Sequence, residues 1–113
     1  MSKVKLERIA SQIARELSII LSIEAKDKVL KAITITDVQV SPDLSVAKIY
    51  YTFFGDYERE FVADELKKAC GFLRTELAQR MQIRHTPELR FSFDESIEYG
   101  TNIERILNEI NSK

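Results

Sequence analysis

The feature that most constrains this 113-residue chain is a helical pattern with a glycine in its middle. Between residues 62 and 81, apolar side chains recur every three or four positions, which predicts an amphipathic helix with one buried face. The pattern is carried by Val62, Leu66, Ala69 or Cys70, Leu73, Leu77 and Met81. Glycine in a helix interior costs about 1 kcal/mol relative to alanine. At Gly71 we therefore expect a kink, or another group packed close against the backbone.

The same stretch concentrates positive charge in a chain whose net charge is −1. Residues 67–90 contain six lysines and arginines but only two glutamates, whereas residues 37–66 contain seven acids against Lys48 and Arg59. Such segregation predicts a surface with separate positive and negative regions. Ordinary solvated faces of amphipathic elements are the alternative. The pI of about 5.9 argues against a protein that binds nucleic acid over its whole surface.

Alternating patterns predict three strands. Ile33 and Ile35 alternate with threonines, while Val38 and Val40 continue in the opposite phase, which predicts a bulge or a strand buried on both faces. A turn at residues 41–44, rich in Ser, Pro and Asp, then joins this strand to a second over residues 45–54 as an antiparallel hairpin. Residues 89–93 form a third strand. Because helices precede it, a parallel pairing is expected in the sheet.

Helices are expected at both ends of the chain. Residues 2–23 carry an apolar stripe with Ser2 as a possible cap, residues 24–31 read as a charged connector, and residues 97–110 predict a C-terminal helix. The element order is α-β-β-α-(kink)-α-β-α. This order predicts an α+β two-layer sandwich, with helices on one face of a three-stranded sheet, and residues 1–113 as a single domain.

Several classes of function are disfavoured. No apolar run approaches the roughly 20 residues that span a bilayer, and the charged start lacks the apolar core of a secretory signal, so a cytoplasmic location is expected. Cys70 is the only cysteine and His85 the only histidine, which leaves no multi-cysteine metal site and no convincing catalytic set. Cys70 falls on the apolar side of the helix, which favours a small buried side chain over a reactive thiol. We expect no enzyme, no metal and no cofactor.

The element order is KH-like, and KH domains bind single-stranded nucleic acid with a GxxG loop between two helices. This chain contains no GxxG, and Ala69-Cys70-Gly71 stands at the corresponding place. Four runs are distinctive: Ser41-Pro42-Asp43-Leu44, Ala69-Cys70-Gly71-Phe72-Leu73-Arg74, Arg84-His85-Thr86-Pro87-Glu88-Leu89-Arg90-Phe91 and Asp94-Glu95-Ser96-Ile97-Glu98. With the N-terminal helix, they resemble the ribosome-binding factor A family of bacterial small-subunit assembly factors. The resemblance covers nearly the whole chain.

The resemblance implies a type II KH-like fold in which an Ala-x-Gly helical kink replaces the GxxG loop. It also implies a non-catalytic, monomeric factor that binds the free small (30S) ribosomal subunit, supports late maturation and processing of 16S rRNA, and assists growth in the cold. The rRNA contacts would lie near the 5′-terminal helix and the neck. A KH-like module that docks on a ribosomal protein or an assembly GTPase, with incidental RNA contact, is the alternative.

Contacts from Lys and Arg to phosphates would supply most of the affinity for rRNA. The candidates are Lys67, Lys68 and Arg74 around the kink, Arg80, Arg84 and Arg90 beyond it, and Lys3, Lys5 and Arg8 on the first helix. On a straight helix Arg80 and Arg84 fall towards the apolar stripe, so either a bend re-aims them or the helix ends near Met81. The first-helix residues fit a solvated face equally well. Tyr50 and Tyr57 could stack on bases, although core packing is favoured.

Overall fold

The computed structural model describes residues 2–82 and 85–96, and the predicted C-terminal helix lies outside these ranges. The elements follow the predicted order: α1 (Lys3–Ile19), a π-helical turn (Ile20–Glu24), α2 (Lys28–Lys31), β1 (Ile33–Val40), β2 (Val46–Phe53), α3 (Arg59–Met81) and β3 (Glu88–Phe93). Ser2 caps α1 as predicted, because its hydroxyl oxygen accepts a hydrogen bond from the Lys5 N–H at 3.3 Å. The charged connector contains α2, a short helical turn that the sequence interpretation missed.

The sheet has the order β1-β2-β3, with an antiparallel β1–β2 pair and the predicted parallel β2–β3 pair. The phase slip in β1 is a bulge. Ile35 pairs with Tyr51 and Asp37 pairs with Tyr50, so Thr36 is the extra residue. The bulge brings Val38 onto the same face as Ile33, and both side chains are buried. The alternation in the sequence therefore located both the strand and its irregularity.

The turn between β1 and β2 has the chemistry that its sequence predicts. The Leu44 N–H donates to the Ser41 carbonyl at 2.9 Å, which closes the turn, and Leu44 has a positive φ of 62°. Asp43 Oδ1 accepts hydrogen bonds from both hydroxyls, Ser45 Oγ and Ser41 Oγ, at 2.8 Å, and from the Ser45 N–H at 3.1 Å. Chiefly the hydrogen bond from Ser45 Oγ, and then that from Ser41 Oγ, lower the pKa of Asp43 to about 2.

The core lies between the sheet and the helices, as in the predicted two-layer sandwich. The inner faces of α1 and α3 bury Ile13, Leu17, Leu66 and Leu73. The sheet contributes side chains of alternating β2 positions, of which Ile49 is fully buried. Because successive side chains of a strand point to opposite faces, the intervening β2 and β3 positions lie on the face away from the helices. This α+β arrangement is KH-like.

Helix α3 is one continuous element, so the helical segments predicted on either side of the kink are joined through Gly71. It ends at Met81, where Gln82 adopts the left-handed conformation with φ 53° and its N–H donates to the Ala78 carbonyl. Of the two alternatives expected at Gly71, a kink or a closely packed group, the second is not found among the described residues. No heavy atom of theirs lies within 4 Å of the position that a Cβ would occupy there. With respect to the residues that the structure describes, the glycine faces open space.

Candidate nucleic-acid interface

The outward face of α3 carries three cations around Gly71. Lys67 and Lys68 lie four and three positions before the glycine, and Arg74 lies three positions after it. Residues with these spacings are neighbours on a helix surface, and all three side chains are exposed. The glycine between them has no side chain, so the helix backbone itself is part of the surface. We call Lys67, Lys68, Gly71 and Arg74 the basic face of α3.

The three cations of the basic face differ in how they are held. The Lys68 ammonium lies 3.6 Å from the Glu65 carboxylate, and the two residues are one helical turn apart. Arg74 Nη2 donates to the Thr86 carbonyl at 2.7 Å, which ties the middle of α3 to the segment before β3. A guanidinium has five N–H donors, so this bond leaves donors available for an external anion. Arg74 is therefore positioned by its own chain, and no carboxylate of the described residues pairs with it.

A shallow groove separates α3 from β3 and reaches the basic face at Lys67. Its volume is about 270 Å³, and Lys67, Asp64 and Ala63 line the helix side. Cys70 also lines it, and the half-buried thiol lies 3.8 Å from the Leu89 carbonyl oxygen. The thiol is thus directed at the strand, in keeping with the predicted packing role. The helix side of the groove therefore carries one lysine and one carboxylate.

Arg80 occupies a different environment from the cations of the basic face. Its guanidinium donates to Glu16 at 3.3 Å and to Glu24 at 2.7 Å, and its Nε is buried without a hydrogen-bond partner among the described residues. Glu16 belongs to α1 and Glu24 to the π-helical turn, so Arg80 joins three elements at the end of α3. Its charge is balanced within the chain, which leaves it little capacity for phosphate.

The remaining predicted cations are distributed over other surfaces. Arg90 alternates with the buried Leu89, so it lies on the sheet face away from the helices, with its guanidinium 3.3 Å from Glu88. Lys3, Lys5 and Arg8 are exposed on α1. Arg84 lies outside the described residues. The structure therefore brings together Lys67, Lys68 and Arg74, but it does not join all nine predicted residues in one stripe.

Helix α1 presents a second, smaller set of cations. A shallow depression of about 350 Å³ runs along its surface, and Arg8, Gln12 and Arg15 are among the lining residues. Arg15 was not among the sequence candidates. The signal that could have identified it is its seven-residue spacing from Arg8, which places two arginines on one helical face. Because α1 packs against α3, these arginines belong to the same helical layer as the basic face.

Metal and membrane chemistry find no support in the part of the chain that the structure describes. No group of three His, Cys, Asp or Glu side chains is arranged to hold a metal ion in residues 2–82 and 85–96. Over the same ranges, no helix combines the length and the apolar character needed to cross a membrane.

The tyrosines that could stack on bases are half-buried. Tyr50 lies under the Lys48 ammonium at 5.0 Å, and Tyr57 stacks on Phe61 with 6.0 Å between ring centroids.

Solved structures of the same architecture are similar to this chain. The crystal structure of ribosome-binding factor A from Thermus thermophilus matches with a TM-score of 0.69 and 29% identity, covering 77% of this chain and 93% of that one. A solution NMR structure of a Thermotoga maritima protein described as a ribosome binding factor A gives 0.67 and 28%, with 81% and 89% covered. A Thermus thermophilus homology model fitted into a cryo-EM map of a 30S complex gives 0.64 and 28%, with 76% and 91% covered.

Curated relatives match over the full length. Ribosome-binding factor A of Staphylococcus carnosus is 45% identical over 114 residues, covering 100% of this chain and 99% of the relative. The protein of the same name from Brevibacillus brevis is 43% identical, covering 100% and 94%. Residues 5–107 match the family described as "Ribosome-binding factor A". The chain therefore belongs to the ribosome-binding factor A family.

Proposed function

We propose that this chain is a non-catalytic assembly factor that binds the free small ribosomal subunit, with 16S rRNA phosphates against the basic face of α3. The observation that carries the proposal is the cluster of Lys67, Lys68 and Arg74 around an unobstructed glycine in a member of this family. A relative has been fitted into the map of a 30S complex, which supports the choice of partner.

Electrostatics favours phosphate as the ligand of this face. Lysines and arginines that neutralise phosphates release counterions, and this release supplies most of the sequence-independent affinity for nucleic acid. Lys67 is exposed and lines the groove, and Arg74 presents its remaining donors in a fixed orientation because its guanidinium donates to the Thr86 carbonyl. The two flexible lysine ammonium groups and the oriented Arg74 guanidinium are better suited to the phosphates of a nucleic-acid backbone than to the edge of a base.

Gly71 has a role in this proposal that helix stability does not explain. A Cβ at this position would meet none of the described atoms, so alanine would be tolerated in the free protein and would favour the helix. The absence of a side chain instead lets a ligand approach the α3 backbone between the cations. In this respect the Ala69-Cys70-Gly71 segment would replace the GxxG loop of RNA-binding KH domains.

The finer features of the function come from the family resemblance and are part of the same proposal. We propose that the chain acts as a single KH-like domain over residues 1–113, as a monomer in the cytoplasm. It would bind near the 5′-terminal helix and the neck of 16S rRNA, promote late maturation and processing of that rRNA, and support growth in the cold. It would need no cofactor and carry out no catalysis.

Co-sedimentation tests the partner. The purified protein is incubated with isolated small subunits and, separately, with intact ribosomes at two salt concentrations. Selective pelleting with free small subunits is expected. Equal binding to both particles would indicate a basic patch without a specific site. Naked 16S rRNA fragments should compete, whereas a module that docks only on a ribosomal protein or a GTPase would ignore them.

A charge-reversal pair tests the site. Lys67→Glu combined with Lys68→Glu is expected to weaken binding about tenfold or more and to reduce the salt slope by about two, because each phosphate contact contributes about one. Lys26→Glu combined with Lys31→Glu makes the same change of formal charge at exposed positions outside α3 and serves as the control. Equal losses in the two pairs would show that only net charge matters and would reject the basic face as the site.

A further inference from the structure

Three aromatic rings are concentrated where β2 leads into α3, and they are not used by the basic face. Phe54 is 68% exposed and Phe61 is 46% exposed, although both are large apolar side chains. Tyr57 stacks on Phe61 with an interplanar angle of 25°, and its ring also lies against Gly55, next to Phe54. Isolated exposed apolar residues are common, but a stacked ring pair with a further exposed ring eight residues or fewer away in the chain requires an explanation.

Carboxylates surround these rings. Phe61 lies in the first turn of α3, with the N-cap Glu58 three positions before it and Asp64 three positions after it. Asp64 therefore neighbours the ring on the helix surface, and Glu58 stands at the start of the helix. Asp56 lies between Phe54 and Tyr57 in the chain. None of these three acids is in an ion pair with another described residue. We call Phe54, Tyr57, Phe61 and these three acids the aromatic–acidic surface.

The charge of this surface disfavours RNA as a ligand, and its chemistry favours a guanidinium group. Unpaired carboxylates repel phosphates, so the aromatic–acidic surface is unsuitable for RNA. A guanidinium fits both of its components, because its plane stacks on aromatic rings and its N–H groups pair with carboxylates. The chain already contains this arrangement beside the surface. Arg59 lies 4.1 Å from the centroid of the Phe93 ring and forms an ion pair with Glu95 at 3.0 Å.

We propose that the aromatic–acidic surface is a second binding site, which accepts an arginine-rich segment of a partner protein. Guanidinium groups of the segment would stack on Phe54 and Phe61 and pair with Asp56, Glu58 and Asp64. The site differs from the basic face in charge and in chemistry, so a single particle that contains both RNA and basic protein could occupy the two sites together. The proposal does not depend on RNA binding by the basic face.

Fluorescence anisotropy with two labelled peptides tests the site. One probe is a 12-residue peptide of alternating Arg and Gly, and the other has Lys in place of every Arg. Phe54→Ser combined with Phe61→Ser removes the exposed rings. Val4→Ser combined with Ile23→Ser removes two apolar side chains that are 59% and 71% exposed elsewhere, and it is the matched control. A labelled single-stranded RNA of 20 nucleotides is titrated against the same proteins.

The Arg peptide is expected to bind several-fold more tightly than the Lys peptide, because only the guanidinium stacks well. The aromatic variant should weaken Arg-peptide binding about tenfold, whereas the control variant and the binding of RNA should change less than about twofold. Asp56→Asn combined with Glu58→Gln keeps the rings and should weaken both peptides. Glu58 makes no side-chain cap bond to α3, so this second variant removes no cap.

Four results would overturn the proposal. Equal binding of the Arg and Lys peptides, or equal losses in the aromatic and control variants, would reduce the interaction to unspecific charge attraction. A parallel loss of RNA binding in the aromatic variant would show that bases stack on these rings. A drop in melting temperature well beyond that of the control would show that the rings pack against the chain's own residues.

Discussion

The start and the middle of helix α3 carry opposite chemistries in this protein. The segment before α3 and its first turns present aromatic rings and carboxylates that form no ion pair with another described residue. The middle of α3 presents Lys67, Lys68 and Arg74 around a glycine. Both regions are exposed, and they follow one another along the chain. The net charge of −1 does not show this division. The distribution of the charges, and not their sum, indicates which ligands each region can bind.

The comparison also shows that positive charge on α3 is not equivalent at all positions. Lys67 and Lys68 extend into solvent, while Arg80, about three turns later, is held by two glutamates. The sequence alone groups these residues, because it shows charge without partners. The structure separates cations available to a ligand from a cation that fastens the helix to α1.

The largest expected effect is a loss of stability when Arg80 is replaced. Arg80→Ala leaves Glu16 and Glu24 without their partner in a partly buried site, so we expect the free energy of unfolding to fall by about 1–3 kcal/mol. Chemical denaturation followed by circular dichroism measures the loss. Lys26→Ala, at an exposed position in the connector before α2, is the control and should change stability little. At a temperature where both variants are folded, their affinity for small subunits should remain near that of the parent.

One result would contradict the distinction between Arg80 and the exposed Lys67 and Lys68. If Arg80→Ala kept its stability but lost as much small-subunit binding as the Lys67→Glu and Lys68→Glu pair, Arg80 would have to be counted with the basic face. Its two ion pairs would then be replaceable by contacts to phosphate.

The next effect separates stability from binding at Gly71. Gly71→Ala should raise the free energy of unfolding by up to about 1 kcal/mol, because helix propensity increases and the new methyl group meets no atom of the described chain. We expect the same variant to bind small subunits more weakly, since the methyl group stands between the cations. Gln79→Ala, exposed further along α3, is the control. A stabilised variant with unchanged affinity would remove Gly71 from the site.

Much of the fold could be predicted because its signals are local. Alternation located β1 and its bulge, and the Ser-Pro-Asp sequence identified the turn, where hydrogen bonds within five residues fix the chain. The parallel pairing of β3 followed from the helices that precede it. The helical turn at Lys28–Lys31 was missed because four residues provide too little periodicity, although Asp27 caps it by accepting from the Val29 N–H at 2.9 Å.

The site could be predicted only in part, because side-chain partners depend on tertiary contacts. Arg80 meets Glu16 across 64 positions of sequence, and no local pattern predicts that pairing. The location of Arg90 could be predicted more easily from the sequence, because its alternation with the apolar Leu89 already places it on the other face of the sheet. The open space at Gly71 required coordinates, because the sequence fits a kink and a close contact equally well.

A smaller effect is expected where the two surfaces of α3 meet. Asp64 borders Phe61 on one side and lines the groove with Lys67 on the other. Asp64→Asn removes a negative charge from both neighbourhoods, so small-subunit binding should strengthen about twofold to fivefold while Arg-peptide binding weakens by a similar factor. Glu76→Gln, which removes the same charge on α3 away from both surfaces, is the control. Changes of the same sign in both affinities would mean that the two surfaces are not separate.

The smallest effect belongs to a region outside both surfaces, the turn between β1 and β2. Hydrogen bonds from Ser45 and Ser41 lower the pKa of Asp43 from 3.8 to about 2, so ionised Asp43 stabilises the fold above about pH 4. This contribution declines as the pH falls from about 4 through 2. The difference in melting temperature between the parent and Asp43→Ala should therefore be constant between about pH 5 and 7 and shrink towards about pH 2. Small-subunit affinity at neutral pH should not change, and a loss there would extend the binding surface to this turn. A temperature difference that stayed constant over the whole acid range would show that the hydrogen bonds of the turn do not depend on the charge of Asp43.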